Sequence, residues 1–238
     1  MTRILAVFAA VLIASLPAGA AESFTGGGYA ITPPDGWVRI PQDVVQTTMQ
    51  KVMDGKNATT VDAVFQLQGR PWFSYPYVMV QTIPYPGQPN ESQMKEIIRQ
   101  MTGPGFMDKS KGNITPQVQK ILDSNSMTIS ELDTSSHTSN AFHQQVVEPF
   151  GKITGMMNSH FGSRGMVNIN SYAREDDFTK YMPQFSQINN SFQWNSGEEY
   201  QGKKPFNKDR ILGRIGAYGL IAIIVGVVVG VMRKKKTA

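Results

Sequence analysis

The chain of 238 residues predicts an α+β domain, an antiparallel β-sheet flanked by helices, followed by one C-terminal transmembrane helix. Three observations lead there. Apolar residues at helical spacing occur both early and late in the central region, while the stretch between them is a succession of β-branched and aromatic runs of strand length. Short Gly-containing turns separate the later runs, as they do between antiparallel neighbours. Runs of strands with helices at both ends belong to α+β architecture, not to alternating α/β units.

The N-terminus reads Met-Thr-Arg, an apolar run from Ile4 to Leu16, then Pro17, Ala18, Gly19 and Ala20. A positive start, a short apolar stretch and an Ala-x-Ala site make residues 1–20 a cleavable signal peptide. The run is shorter than the about 20 residues that a spanning helix needs. The extracytoplasmic domain then covers residues 21–202.

Within it, Tyr29 to Ile31 reads as a short strand, Pro34-Asp35-Gly36 as a turn, and Trp37 as the start of a second strand and the closure of one end of the core. Val44, Val45, Met49, Val52 and Met53 place a helix over 42–53, and Val61–Leu67 and Tyr77–Ile83 are strands. Asn90 with Gln93 three positions on forms a capping box for a helix carrying Met94, Ile97, Ile98 and Met101 on one face. Thr115-Pro116 opens a further helix running to about Asp123.

From Ser126 to Ala173 four consecutive antiparallel strands are expected: Met127–Leu132, Phe142–Val147, Ile153–Phe161 and Met166–Tyr172. Their turns fall at Gly151 and at Gly162-Ser163-Arg164-Gly165. A closing helix begins at Glu175-Asp176-Asp177, acids that suit the positive end of the helix dipole, and carries Phe178, Tyr181, Met182, Phe185 and Ile188 toward Phe192.

After a polar linker at 203–212, the segment 213–232 is the membrane span; Ile215 to Met232 carries no charge, and Arg233 with Lys234, Lys235 and Lys236 stops transfer, leaving 233–238 as a basic cytoplasmic tail. Ala222, Gly226 and Gly230 recur every four residues, a small-residue face through which the helix could pack against another and form a homodimer. With a cleaved signal, the domain lies outside: periplasmic or exterior, on a single-pass protein of the bacterial plasma membrane.

The net charge of +5 is not a nucleic-acid footprint. Ten of the 23 basic residues lie in the signal, in the stretch from Lys203 to Arg214 and in the tail, so the segment from Glu22 to Glu199 carries thirteen basic residues against seventeen acids, a net −4. The absence of cysteine excludes disulfides, thiolate nucleophiles and thiolate metal sites.

The order Gly-Tyr-Ala-Ile-Thr-Pro-Pro-Asp-Gly-Trp, an early helix, and a long meander ending in a helix that closes on Ser191-Phe192 resembles the PsbP-like superfamily, an α/β/α sandwich. That superfamily includes the photosystem II extrinsic subunit PsbP, the Ran-binding Mog proteins and bacterial periplasmic relatives. The resemblance covers about Tyr29 to Phe192 and implies a binding fold; it transfers no functional residue.

The residues themselves offer few reactive groupings. Gly162-Ser163-Arg164-Gly165 lacks the Gly that a nucleophile elbow needs at the place of Phe161, and it reads as a hairpin. His137, His143 and His160 match no metal spacing, so surface or turn roles are expected, and the methionines, including Met156-Met157, fall at core positions. No catalytic residue, metal ligand or cofactor is assigned.

Trp72, Phe73, Tyr75 and Tyr77, gathered around Pro71 and Pro76 on a connecting segment, are the candidate protein-binding surface, the alternative being that they cover the core edge. The function expected is a membrane-anchored adaptor or assembly domain binding a protein partner. The alternative is a sensor or carrier of a metal or small molecule, using the concave face of the sheet or the His and Met positions.

Overall fold

The computed structural model describes residues 22–52, 61–84, 87–102, 126–133, 135–147 and 150–202. The signal peptide, the 115–123 helix, the linker, the 213–232 span with Ala222, Gly226 and Gly230, and the tail lie outside the described residues. Among the described residues no helix is long and apolar enough to cross a membrane.

A seven-stranded antiparallel sheet has the order β3-β4-β5-β9-β8-β7-β6. Its strands are β3 (Trp37–Arg39), β4 (Ala63–Leu67), β5 (Tyr77–Pro84), β6 (Ser126–Asp133), β7 (Thr138–Val147), β8 (Gly151–Phe161) and β9 (Gly165–Arg174). The four-strand meander β6 to β9 forms as expected, with a register shift in β6 between Ile129 and Glu131. The sheet closes through a pairing that no local pattern announces, β5 against β9, from Tyr77↔Tyr172 to Pro84↔Gly165.

A second, three-stranded sheet contains β1 (Phe24–Gly26), β2 (Tyr29–Ile31) and β10 (Gln193–Trp194), with β2 in the centre. Neither β1 nor β10 was expected. Gly26 pairs with Tyr29 across a two-residue loop, and Gly27 and Gly28 both hold positive φ, 61° and 91°; this is the hairpin turn for which two glycines are the best fit.

The helices are α1 (Gln42–Val52), α2 (Glu91–Thr102) and α3 (Glu175–Asn190). The capping box at α2 is reciprocal: Asn90 Oδ1 accepts from the Gln93 amide at 2.9 Å, and Gln93 Oε1 accepts from the Asn90 amide at 2.9 Å. Phe178, Tyr181, Phe185 and Ile188 form the buried stripe of α3 and pack with Phe65, Val78, Val80, Val167 and Ile169 from one face of the sheet. Trp37 does close an end of this core: its indole N–H donates to Gln184 Oε1 at 2.9 Å and its ring meets Phe185 edge-on.

β9 is buried at every position except Arg174, so material covers both faces of the sheet, not one. The small sheet joins the α3 side through Tyr29, which is fully buried and donates to Asp62 Oδ2 at 2.8 Å; Thr82 donates to the same oxygen at 2.6 Å. Burial, helped by the neighbouring Asp62 carboxylate, pushes the Tyr29 phenol well above its ordinary range. Tyr29→Phe keeps the ring contacts with Phe24, Phe192 and Trp194 but removes a hydrogen bond to a carboxylate. Denaturant unfolding is expected to show a loss of about 2 kcal/mol; an unchanged midpoint would mean the bond adds nothing to the link between the sheets.

Candidate functional site

The aromatic segment after Arg70 is built on Gln66, whose side chain is fully buried. Its amide nitrogen donates to the Arg70 carbonyl at 2.9 Å, and its amide oxygen accepts from the Phe73 amide at 2.7 Å. Arg70 then passes beneath the loop, donating to the Tyr75 carbonyl at 2.7 Å and to the Tyr181 hydroxyl of α3 at 3.3 Å. Phe73 is held at φ 59°, a strained conformation for a bulky side chain, and points inward.

The loop thereby sorts its four rings. Phe73, Tyr75 and Tyr77 are buried, and Trp72 alone is exposed, at 41%. Tyr75 stacks on Tyr77 at 5.3 Å, Phe73 meets Tyr77 edge-on, and Phe150 closes on Tyr75. For Phe73, Tyr75 and Tyr77 the core-edge alternative therefore holds, and of the four candidates only Trp72 lies on the surface: the turn set by Gln66 folds the three rings over the sheet face that carries Tyr77.

That face is the one opposite α3, and it is polar. Residues paired across antiparallel strands share a face, so the register places Gln66, Tyr77, Tyr172, Gly155 and His143 in one row. Met79, Asn170, Met157 and Ala141 form the next, and Gln81, Asn168, Ser159 and Ser139 the one after. All of these side chains are buried. Val45 and Met49 of α1 and Met94 and Ile97 of α2 are buried apolar residues as well, and α2 lies against β6.

Some of the polar groups are paired. Ser159 Oγ donates to Asn168 Oδ1 at 2.8 Å, and the Gln66 amide is used by the loop. On this face His143 at both ring nitrogens, Gln81 at both amide atoms, Asn170 at Nδ2, Ser139 at Oγ and Tyr172 at its hydroxyl have no hydrogen-bond partner among the described residues, and on the α3 face the same holds for Asn158 Nδ2 and Ser171 Oγ. A buried polar group left so costs about 1–3 kcal/mol.

His143 is the centre of the first row and corrects the expectation of a surface role. Its imidazole lies over Gly155: a Cβ there would overlap its Nε2 and Cε1 and approach Cδ2 to 2.8 Å. Tyr172 meets it edge-on at 5.2 Å. Burial lowers the His143 pKa to about 4, so the ring is neutral at ordinary pH. Burial also pushes the Tyr172 phenol up.

The other histidines lie elsewhere. His160, an odd number of residues from Gly155 along β8, faces the α3 side, where it stacks on Phe192 at 4.0 Å and bonds Asn189 Oδ1 at 3.0 Å. Burial lowers its pKa, opposed by the Asn189 contact. His137 sits in the β6–β7 turn with φ 56° and stacks on Tyr200. The three therefore share no site. Met49, Met79, Met94, Met156, Met157 and Met166 are all buried, as packing positions should be.

The C-terminal end of the domain is clamped to the β8–β9 hairpin. Glu198 accepts from Ser163 Oγ at 2.9 Å and from Arg164 at 2.7 Å through both Nε and Nη2. The Tyr200 hydroxyl donates to the Pro89 carbonyl at 2.5 Å, and the Gln201 amide donates to Gln88 Oε1 at 2.9 Å. Ser163 thus bonds a carboxylate in the antiparallel β8–β9 hairpin, the hairpin that the sequence pattern sets there.

Nothing in the sequence reading singled out Gln81, Asn170, Ser139 or Tyr172. Their one local signal is a polar residue at every second place, as in Met166-Val-Asn-Ile-Asn-Ser-Tyr172, and that alternation reads equally well as a solvent face.

No family model matches the chain, and no curated protein does. Among solved structures, the solution structure of cyanobacterial PsbP (CyanoP) from Synechocystis sp. PCC 6803 matches at 13% identity with a TM-score of 0.43, over 74% of this chain and 93% of that one.

Two outcomes test the His143 geometry. Gly155→Ala is expected to destabilise the fold by about 1–3 kcal/mol through overlap with the imidazole. Adding His143→Ala is expected to recover part of that loss, and a double-mutant cycle showing simple additivity would refute the contact. The second concerns pH. The His143 pKa is depressed on folding, so the unfolded chain takes up the proton first. Stability is full above about pH 6.5 and falls with acid until the folded pKa near 4. The drop from this residue is about 3 kcal/mol, with His160 adding in the same direction. Denaturation midpoints from pH 7.5 to 4 should lose most of this slope in His143→Gln.

Proposed function

We propose that this chain is a non-catalytic interaction domain tethered to the bacterial plasma membrane by a single C-terminal helix, with its folded part in the periplasm or outside the cell. The observation that carries the reading is Trp72. It stands exposed at the tip of a loop whose backbone is pinned from beneath by Gln66 and Arg70. A rigid, exposed aromatic on a preorganised loop is the kind of anchor that protein interfaces concentrate their affinity in.

Other features support the same reading. The net −4 of the segment from Glu22 to Glu199 disfavours nucleic acid as partner. The bidentate Arg164–Glu198 pair and the Tyr200 and Gln201 bonds secure the end of the domain just before the basic linker, so the tether leaves from a firm base. Anchoring raises the local concentration of the domain toward partners in the same membrane. Dimerisation through Ala222, Gly226 and Gly230 would double the valency. The separation of the histidines and the carboxylate-bound Ser163 favour binding over catalysis.

Crosslinking in membranes of the source organism tests this, comparing the intact protein with Trp72→Ser. Because the indole is exposed, the substitution should shift stability by no more than about 0.5 kcal/mol. Recovery of the crosslinked partner should fall by about tenfold or more. A partner captured equally well by both forms would remove Trp72 as the anchor.

A further inference from the structure

We infer that the end of the sheet carrying Trp72, together with the exposed guanidinium groups of Arg70 and Arg174, docks an acidic segment of another protein. This rests on the reading of Trp72 as the anchor and adds the chemistry of what the anchor meets. The Ser74 amide donates to the Pro71 carbonyl at 3.1 Å, closing a turn with Trp72 at its exposed corner. Both arginines border Tyr75, which lies buried beneath them. Arg70 donates to the Tyr75 carbonyl, and Arg174 stands 5.8 Å over the ring of Phe150, which meets Tyr75 edge-on.

Arg70 and Arg174 are exposed, and neither forms an ion pair among the described residues. Arg70 is nevertheless fixed, held by a carbonyl and a phenol, so its charge is presented in place without being neutralised. A preorganised guanidinium beside an indole suits a chain that brings carboxylates and an apolar residue together. The nearest acids of α3 turn elsewhere. Arg174, two residues from Tyr172 along β9, belongs to the face opposite α3, whereas Glu175 lies on the α3 side, where it accepts from Gln144 at 3.3 Å and pairs with Lys152 at 3.7 Å. Asp176 and Asp177 continue into the first turn of α3. With seventeen acids against thirteen basic residues, the segment from Glu22 to Glu199 repels an acidic chain over much of its surface, which directs such a chain to this end.

Position favours a protein over a lipid surface. The turn with Trp72, Phe150 and Arg174 all lie at the end of the sheet where β5 begins and β9 finishes. Glu198, just before the proposed tether, is held by Ser163 and Arg164 at the other end. The length of β9, about 30 Å of strand, separates the two.

The test uses the full-length protein in phosphatidylcholine nanodiscs, titrated with a peptide of repeated Glu-Leu-Gly-Glu, with its Lys-for-Glu counterpart, or with phosphatidylglycerol vesicles. Only the acidic peptide should bind. Its affinity should fall by about fivefold or more in Arg174→Glu, with Arg174→Gln between the two, and by about tenfold in Trp72→Ser. The Arg174 side chain makes no hydrogen bond among the described residues, so the thermal midpoint of its variants should stay at the parent value. Equal binding of the basic peptide, binding of the vesicles alone, or no binding at all overturns the inference. Binding that is lost in Trp72→Ser yet indifferent to the charge at position 174 refutes the acidic partner and leaves Trp72 as the anchor; binding indifferent to both refutes the two together.

Discussion

Everything in this domain follows from burying β9 on both faces. Once that strand has neighbours on either side and layers above and below, the alternation along it no longer separates inside from outside. Val167 and Ile169 go to the α3 core, and Asn168, Asn170 and Tyr172 go to a second interior. The first is apolar and filled by the stripe of α3. The second is assembled from amides, hydroxyls, an imidazole and methionines, with the loop after Arg70 folded over its edge. The two interiors of one sheet are thus chemically different, and only the first is explained by packing alone.

The remaining layers are tied on by bonds between residues far apart in the chain. Asp62 collects the Tyr29 and Thr82 hydroxyls and joins the small sheet to the large one; Gln184 receives Trp37; Glu198 gathers Ser163 and Arg164. Two of these anchors are carboxylates that accept more than one bond. A charged acceptor makes stronger bonds than a neutral one, and it suits positions at the margin of the core where some water still reaches it.

Local elements were legible wherever one residue type has one dominant use. The capping box at Asn90 and Gln93, the Pro34-Asp35-Gly36 turn, the acidic start of α3 and the meander between Ser126 and Ala173 appear in the structure within a few residues of where the pattern sets them. The strands β1 and β10 were not legible, being three and two residues long and stabilised by pairing with β2 more than by their own composition. The site fared worse. Of the four rings around Pro71 and Pro76, three turned inward because a buried glutamine one strand earlier hydrogen-bonds the loop backbone, an interaction with no signature in the aromatic run itself.

By itself the sequence determined the order of the longer strands and of the three described helices, the α+β class, the amphipathic stripe of the last helix and the absence of cysteine chemistry, because spacing, capping and composition act over a few residues. Only the tertiary structure decided that β5 joins β9, that His143 lies neutral over Gly155, and that Gln81, Asn170 and Ser139 are interior. Whether a polar residue on a strand meets water depends on what is laid across that face, and what covers this sheet comes from segments remote in the chain.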